Sequence, residues 1–311
     1  MKRVVLILAA ALLAWGAVAQ PGRNGGNPPP GENPFGNMSQ EQMQAMFRRM
    51  NQPPTGDDFT MKEIHVQSAG NDLYGEAFIP KAPGRHPAVI LSHGYGGSHT
   101  GFYSLIPDLV AEGYVCYCYD FAGGGRASKS TGSSRDMSIF TERTDLLNVL
   151  EAVRGWDCVD PDKVFLLGES QGGCVSAISA PKVQDKVRAI VLVYPALCIP
   201  DDGRALYKTV ADIPAEINFM GMDIGKAYYE PVVDPSFDIY AEIAPFKKDV
   251  LIIHGTNDQL VKPEYSALAT NVYARSELHL IFGAGHGFHQ PEHRALYSQY
   301  VRDFLKRMLA K

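Results

Sequence analysis

Between residue 59 and the last lysine, short unbroken apolar runs alternate with stretches of helical spacing. The runs at 88–91, 114–119, 163–167, 189–193, 250–253 and 278–282 carry apolar side chains on nearly every residue, not on alternate ones. Such strands must be covered on both faces, which is the condition of a parallel sheet in an α/β domain. The segments between them at 100–112, 138–154, 171–180 and 293–309 read as helices. In the second of these, Leu146, Leu147, Leu150 and Val153 share a face. Residues 64–67 and 73–79 read as an opening hairpin. The pattern predicts one α/β domain over residues 57–311. The stretch between Val193 and Val250 breaks the alternation: it has no clear core strand and holds Tyr207, Phe219, Met220, Met222, Tyr228, Tyr229, Phe237 and Tyr240. A long insertion in a compact domain, here about 199–245, is usually functional and often a lid. An extra packed helix pair is the plainer alternative.

The chain opens with Met1-Lys2-Arg3, a 16-residue apolar stretch over 4–19, and Ala17-Val18-Ala19 before Gln20. A basic start, a short apolar core and a small-x-small site are the parts of a secretory signal peptide. The stretch is shorter than the ~20 residues that span a bilayer. Residues 1–19 therefore read as a signal cleaved after Ala19, with an uncleaved anchor as the alternative. A secreted or periplasmic protein is expected, with no membrane contact after cleavage. Residues 20–56 are rich in Pro, Gly and Asn and cannot bury enough surface to offset chain entropy, so a disordered leader is expected. Within it Met43, Met46, Phe47 and Met50 have helical spacing behind Ser39. Export permits disulfides, but the five cysteines are an odd number. Cys116 and Cys118 face one side of a strand and cannot easily bond to each other. Cys174 and Cys198 lie in apolar surroundings. Buried free thiols are the expectation.

The net charge of −5 excludes a basic nucleic-acid footprint. Asp120-Phe-Ala-Gly-Gly-Gly125 is not followed by a phosphate-loop pattern, so it reads as pocket-shaping backbone, not a nucleotide cradle. No ligand-spaced cluster suggests a metal. The sequence Gly168-Glu-Ser170-Gln-Gly172 is weak alone, but it lies between a strand and a small-residue helix. A strained strand–turn–helix elbow needs those glycines and lifts the Ser170 hydroxyl to a helix N-terminus. A serine is a poor nucleophile until a base takes its proton. His286, in the Gly283-Ala-Gly-His-Gly287 loop after the last strand, is the first candidate; His289 and His293 are rivals. Asp258, in the loop after the 250–253 strand, fits the acid that orients the base. Asp201 and Asp202 are the alternatives. The chain order Ser, Asp, His then follows. A developing oxyanion needs two preset N–H donors. The amide of Gln171 and that of Tyr95, after His93-Gly94, are the candidates, with the His93 side chain bracing its loop.

These residues, in this order, resemble the α/β-hydrolase superfamily over nearly all of 59–311. The match narrows to the bacterial cinnamoyl/feruloyl esterases through His93-Gly94-Tyr95, the Gly168-x-Ser-Gln-Gly-Gly173 elbow and the Asp120-x-x-Gly-x-Gly stretch. The resemblance implies an α/β-hydrolase fold: a mostly parallel sheet flanked by helices, with a lid insertion between the sixth and seventh core strands. It also implies lid residues that meet a phenolic hydroxyl, and Tyr228 and Tyr229 both lie near the family's lid tyrosine. Glu169, where a histidine is common, and the Pro/Gly-rich leader depart from the family. The implied activity is that of a serine ester hydrolase acting on hydroxycinnamoyl or related small-molecule or saccharide esters, without a cofactor. A peptidase of the prolyl-oligopeptidase type shares the triad but normally carries a propeller, for which this chain is too short. An inactive binding protein of the same fold normally lacks a triad residue, and all three types are present here. If the signal reading is right, the exported protein should begin at Gln20 by intact mass. Retention of Met1 or Lys2 overturns it.

Overall fold

The computed structural model describes residues 51–311. The expected signal peptide, the leader through residue 50 and its Met-rich segment lie outside the described residues. Residues 51–58 form no helix or strand.

Eight strands make one sheet: β1 (Phe59–Ser68), β2 (Asn71–Pro80), β3 (His86–Ser92), β4 (Val115–Tyr119), β5 (Val159–Glu169), β6 (Ala189–Val193), β9 (Val250–Gly255) and β10 (Ser276–Ile281). Their order is β1-β2-β4-β3-β5-β6-β9-β10. The first two pairings are antiparallel and the other five parallel. The continuous apolar runs sort their residues by parity onto two cores. Tyr117, Tyr119, Val164, Leu166, Ile190, Leu192 and Ile252 face one cluster with helices α2 (Ile139–Arg154), α3 (Gln171–Ser179) and α7 (Pro263–Val272). Cys116, Cys118, Phe165, Leu167, Val191, Leu251 and Ile253 face the other, with α1 (Ile106–Ala111) and α8 (Pro291–Ala310). Each such side chain, fully buried, contributes roughly 1.5–3 kcal/mol of transfer free energy.

The helix expected over 100–112 is broken. A 3₁₀ turn (His99–Phe102) precedes α1, whose start is set by Pro107 at its second position. Helix α2 begins where Ser138 and Thr141 form a reciprocal capping box.

The segment between β6 and β9 falls between the sixth and seventh strands of the sheet. It contains helices α4 (Ile199–Leu206), α5 (Glu230–Val233) and α6 (Ile239–Ile243), and a separate antiparallel ribbon, β7 (Glu216–Phe219) with β8 (Met222–Gly225). Met220 and Gly221 both have φ > 0 at the ribbon's two-residue turn, the conformation that matches strand twist. Ile224, Tyr228, Tyr229, Val232 and Ile243 join the first core cluster, so the insertion is packed on the domain. Its ribbon is fastened by Arg126 to the Met220 carbonyl, by Arg135 to Glu216, and by Ser134 Oγ to the Asp223 carbonyl at 2.6 Å.

Among the described residues, no helix is long and apolar enough to cross a membrane. All five cysteines are free, and all but Cys158 are buried. Titration after unfolding without reductant should therefore find five thiols per chain. One free thiol, and so two disulfides, would overturn the arrangement.

Candidate active site

Ser170 follows β5 and caps α3 with φ 53° and ψ −117°, a conformation that strains any residue with a Cβ. The backbone around it is compressed. A Cβ on Gly172 would lie 2.1 Å from the Ser92 carbonyl oxygen, and one on Gly168 would lie 2.1 Å from that of Gly172. Only glycine lets strand, turn and helix approach so closely. The turn is fixed by hydrogen bonds from the Ser170 N–H to the Val193 carbonyl (2.9 Å) and from Ala196 N–H to the Ser170 carbonyl (2.8 Å).

His286 Nε2 lies 3.0 Å from Ser170 Oγ, and its Nδ1 lies 2.7 Å from Asp258 Oδ2. The expected serine, histidine and aspartate thus come together in one hydrogen-bonded chain. Asp201 and Asp202 are on α4, where Asp201 accepts from the Tyr265 hydroxyl. The loops carrying Asp258 and His286 are pinned to each other. Asn257 N–H donates to the Ala284 carbonyl at 2.9 Å, and a Cβ on Gly255 would lie 2.3 Å from that same oxygen.

Asp258 is buried, with Oδ1 accepting from the amides of Leu260 (3.0 Å) and Val261 (2.9 Å). Burial opposes its charge, but hydrogen bonds from His254, His286 and the Val261 amide outweigh it and hold the carboxyl well below the usual range. His254, at the end of β9, is a second imidazole at this carboxylate. Its Nε2 donates to the Val261 carbonyl at 2.9 Å and lies 3.3 Å from Asp258 Oδ2, while its Nδ1 meets the Ser266 hydroxyl at 2.7 Å. The signal was the four-residue spacing to Asp258.

The loop after β3 reaches the serine. A Cβ on Gly94 would lie 3.0 Å from that of Ser170. His93 Nδ1 donates to the Gly94 carbonyl (2.8 Å), and its Nε2 accepts from the Phe121 amide (3.1 Å), which fixes one neutral tautomer. Burial lowers the pKa of His93, in keeping with that bracing role. The loop is zipped to the Asp120 loop by a Gly96–Gly125 bridge and by Gly96 N–H to the Gly124 carbonyl. Asp120 in turn holds His99 Nδ1 at 2.8 Å and the Lys129 amide at 2.8 Å. Tyr95 directs its hydroxyl to the Phe219 carbonyl at 2.8 Å, tying this loop to the insertion. Gln171 opens α3, so its amide has no intrahelical partner.

Tyr228 and Tyr229 are buried and in edge contact with each other, with Tyr228 also against Tyr95. The Tyr228 hydroxyl donates to Gln171 Oε1 at 2.7 Å. Behind His286, Tyr194 packs its ring at 4.4 Å from the imidazole, with φ 35°. Tyr297 donates to Glu169 Oε1 at 3.0 Å. Among the described residues, no group of three or more His, Cys, Asp or Glu is arranged to hold a metal.

A profile of the alpha/beta hydrolase fold matches residues 87–215. Est1E from Butyrivibrio proteoclasticus, solved with ferulic acid bound, aligns with a TM-score of 0.72 at 25% identity, over 80% of this chain and 100% of that one. Among curated proteins, the 2-hydroxy-6-oxononadienedioate/2-hydroxy-6-oxononatrienedioate hydrolase of Escherichia coli (strain K12) is 25% identical over 300 residues, 83% of this chain and 100% of its own. Lipase 1 of Psychrobacter immobilis is 25% identical over 264 residues, 74% of this chain and 79% of its own. The chain therefore has the α/β-hydrolase fold. Within that fold it resembles the feruloyl esterases.

Glu169 supplies a pH test of the site. Burial pushes its carboxyl up to about 7, against hydrogen bonds from Tyr297 and Tyr194 that hold it down. Between the unfolded carboxyl's range and pH 7 the folded protein keeps a proton that the unfolded chain has released, so stability falls as pH rises through that window. Glu169→Gln should remove this dependence and gain up to about 3 kcal/mol on wild type between pH 4 and pH 8, read by urea unfolding. Parallel pH profiles for the two proteins would show that Glu169 titrates normally.

Proposed function

We propose that this protein is an exported serine ester hydrolase that cleaves hydroxycinnamoyl esters. The observation that carries the reading is the hydrogen-bonded chain from Ser170 through His286 to Asp258, set on a strained elbow at a helix N-terminus. Ser170 Oγ attacks the ester carbonyl while His286 Nε2 takes its proton. Asp258, kept ionised, steadies the resulting imidazolium. The N–H groups of Gln171 and Tyr95 hold the tetrahedral oxyanion, where preset donors need no reorganisation. His286 then returns the proton to the leaving alcohol. Water, deprotonated by the same histidine, attacks the acyl-enzyme, releasing the acid and restoring Ser170.

The acyl group lies along an aromatic wall of Tyr95, Phe219, Tyr228 and Tyr229, whose rings suit a flat, largely apolar acid. The likeness to Est1E, which was solved with ferulic acid, supports the same class. The insertion, which supplies Phe219, Tyr228 and Tyr229, acts as the lid over Ser170. Tyr228 and Tyr229 are the candidates to meet the phenolic hydroxyl. Tyr228 already donates its proton to Gln171, so towards a phenol it would act as acceptor.

The test compares kcat/KM on methyl ferulate, methyl cinnamate and p-nitrophenyl acetate. Ser170→Ala should lower kcat by roughly 10⁴–10⁶, with His286→Ala as severe, the double variant little worse and Asp258→Asn milder. A Ser170→Ala enzyme that keeps a tenth of its activity sinks the nucleophile. If Tyr228 or Tyr229 binds the phenol, its Phe variant should lose about 1 kcal/mol more on ferulate than on cinnamate. Turnover of short acyl esters without ferulate would leave an esterase and remove the hydroxycinnamoyl reading.

A further inference from the structure

The mechanism leaves one buried polar chain unused. The Gln171 side chain is fully enclosed and bonded at both ends. Its Nε2 donates to Glu142 Oε2 at 2.8 Å, and its Oε1 accepts from the Tyr228 hydroxyl at 2.7 Å. Glu142 lies in the first turn of α2 and is 1% exposed, and Tyr228, in the insertion, is 3% exposed. Among the described residues no basic side chain forms an ion pair with Glu142. An unpaired carboxyl in such a place costs several kcal/mol if charged, and an apolar trio of the same shape would pack without that penalty. The arrangement therefore calls for a task beyond filling space.

Resting on the ester-hydrolase reading, we propose that Glu142 and Tyr228 are positioning residues. They clamp the Gln171 side chain from opposite sides and so fix the plane of the Ser170–Gln171 peptide, whose N–H receives the oxyanion. That peptide has a strained serine on one side and an unpaired helix terminus on the other. Its carbonyl edge is held by the amides of Cys174 (3.0 Å) and Ala196 (2.8 Å), which leaves the N–H edge to be set by the residue that carries it, Gln171. The clamp supplies this from two separate elements, α2 and the insertion, and ties closure of the insertion to readiness of the oxyanion donor. Burial, with Asp145 nearby adding to it, pushes the Glu142 carboxyl well above the usual range. That direction favours the uncharged carboxyl, whose Oε2 accepts from Gln171 Nε2 and so orients the amide. Gly124 admits this packing, because a Cβ there would lie 3.2 Å from Glu142 Oε1 and 3.3 Å from the His93 ring.

The experiment uses the full chain and methyl cinnamate, which has no phenolic hydroxyl, so a loss cannot come from phenol recognition. Rates are expressed per titrated active site. Phenylboronic acid, which forms an anionic tetrahedral adduct on a reactive serine, probes the oxyanion donors separately from turnover. Glu142→Leu and Tyr228→Phe should each lower kcat by roughly ten- to a hundredfold, leave KM within about threefold, and weaken phenylboronic acid by the same factor as kcat. The double variant should fall little below the worse single one, because the two act through one side chain. Glu142→Gln, which keeps the acceptor and the shape, should recover to within about threefold of wild type. A purely structural role would lower thermal stability while kcat per site and phenylboronic acid affinity held, and that result overturns the proposal. So does a Glu142→Gln enzyme as impaired as Glu142→Leu. If Glu142→Leu does not fold, Tyr228→Phe decides by the same readouts. Failure of the hydrolase reading shows itself separately, as ester turnover that survives Ser170→Ala.

Discussion

The contact on which the rest of the molecule depends is the approach of α3's first turn to the ends of β3 and β5. The Gly172 Cα sits so close to the Ser92 and His93 carbonyls that a methyl group there has no room. That approach forces the chain between β5 and α3 through a left-handed residue, and that residue is Ser170. The strain is held by the surrounding sheet, since β5 is flanked on both sides by parallel partners, β3 and β6. Strain of this kind persists only where the packing around it over-determines the backbone. Here two core clusters, one on each face, do so.

From that elbow the site is assembled by loops that bind each other more than they bind the sheet. The His93–Gly97 loop is zipped to the Asp120 loop, and the Asp120 loop holds the insertion through Arg126 and Ser134, with Arg135 adding an ion pair. The loops of Asp258 and His286 share the Ala284 carbonyl. The same logic explains Gly125 and Gly255, where a Cβ would lie 1.9 Å from the Gly97 carbonyl oxygen and 2.3 Å from that of Ala284: two backbones meet there without side chains between them.

Electrostatics divides the carboxyls of the site into two kinds. Asp258 is buried, but two imidazoles and two amides supply enough donors to keep it ionised. Glu142, against the Gln171 amide with Asp145 nearby, and the partly buried Glu169, against the Tyr194 and Tyr297 phenols, lack such a set of donors, so burial prevails and their pKa values rise. The difference lies in the partners, not in depth, and it decides which acid can stabilise a charged histidine and which can only accept or share a hydrogen bond.

The sequence by itself determined the layers and the spacing of the chemistry. Unbroken apolar runs such as 189–193 required cover on both faces, so a parallel sheet followed, and parity placed Cys116 and Cys118 together on one face. Gly-x-Ser-x-Gly after a strand located the elbow, because close backbone approach leaves glycine no substitute. The loops of Tyr95, Asp258 and His286 were legible because each follows a core strand, and parallel strands bring those ends to one edge of the sheet. Side-chain partners across long separations were not legible. Nothing local to Glu142 says that its carboxyl meets Gln171, or that Tyr228, 57 residues further on, meets the other end of that amide. His254 and Tyr194 stand at the ends of core strands, and only the fold sets one against Asp258 and the other against His286. Hydrophobic periodicity fixes which face of an element is buried, while the pairing of polar groups inside depends on how those faces are rotated and stacked. Only the tertiary structure decides that.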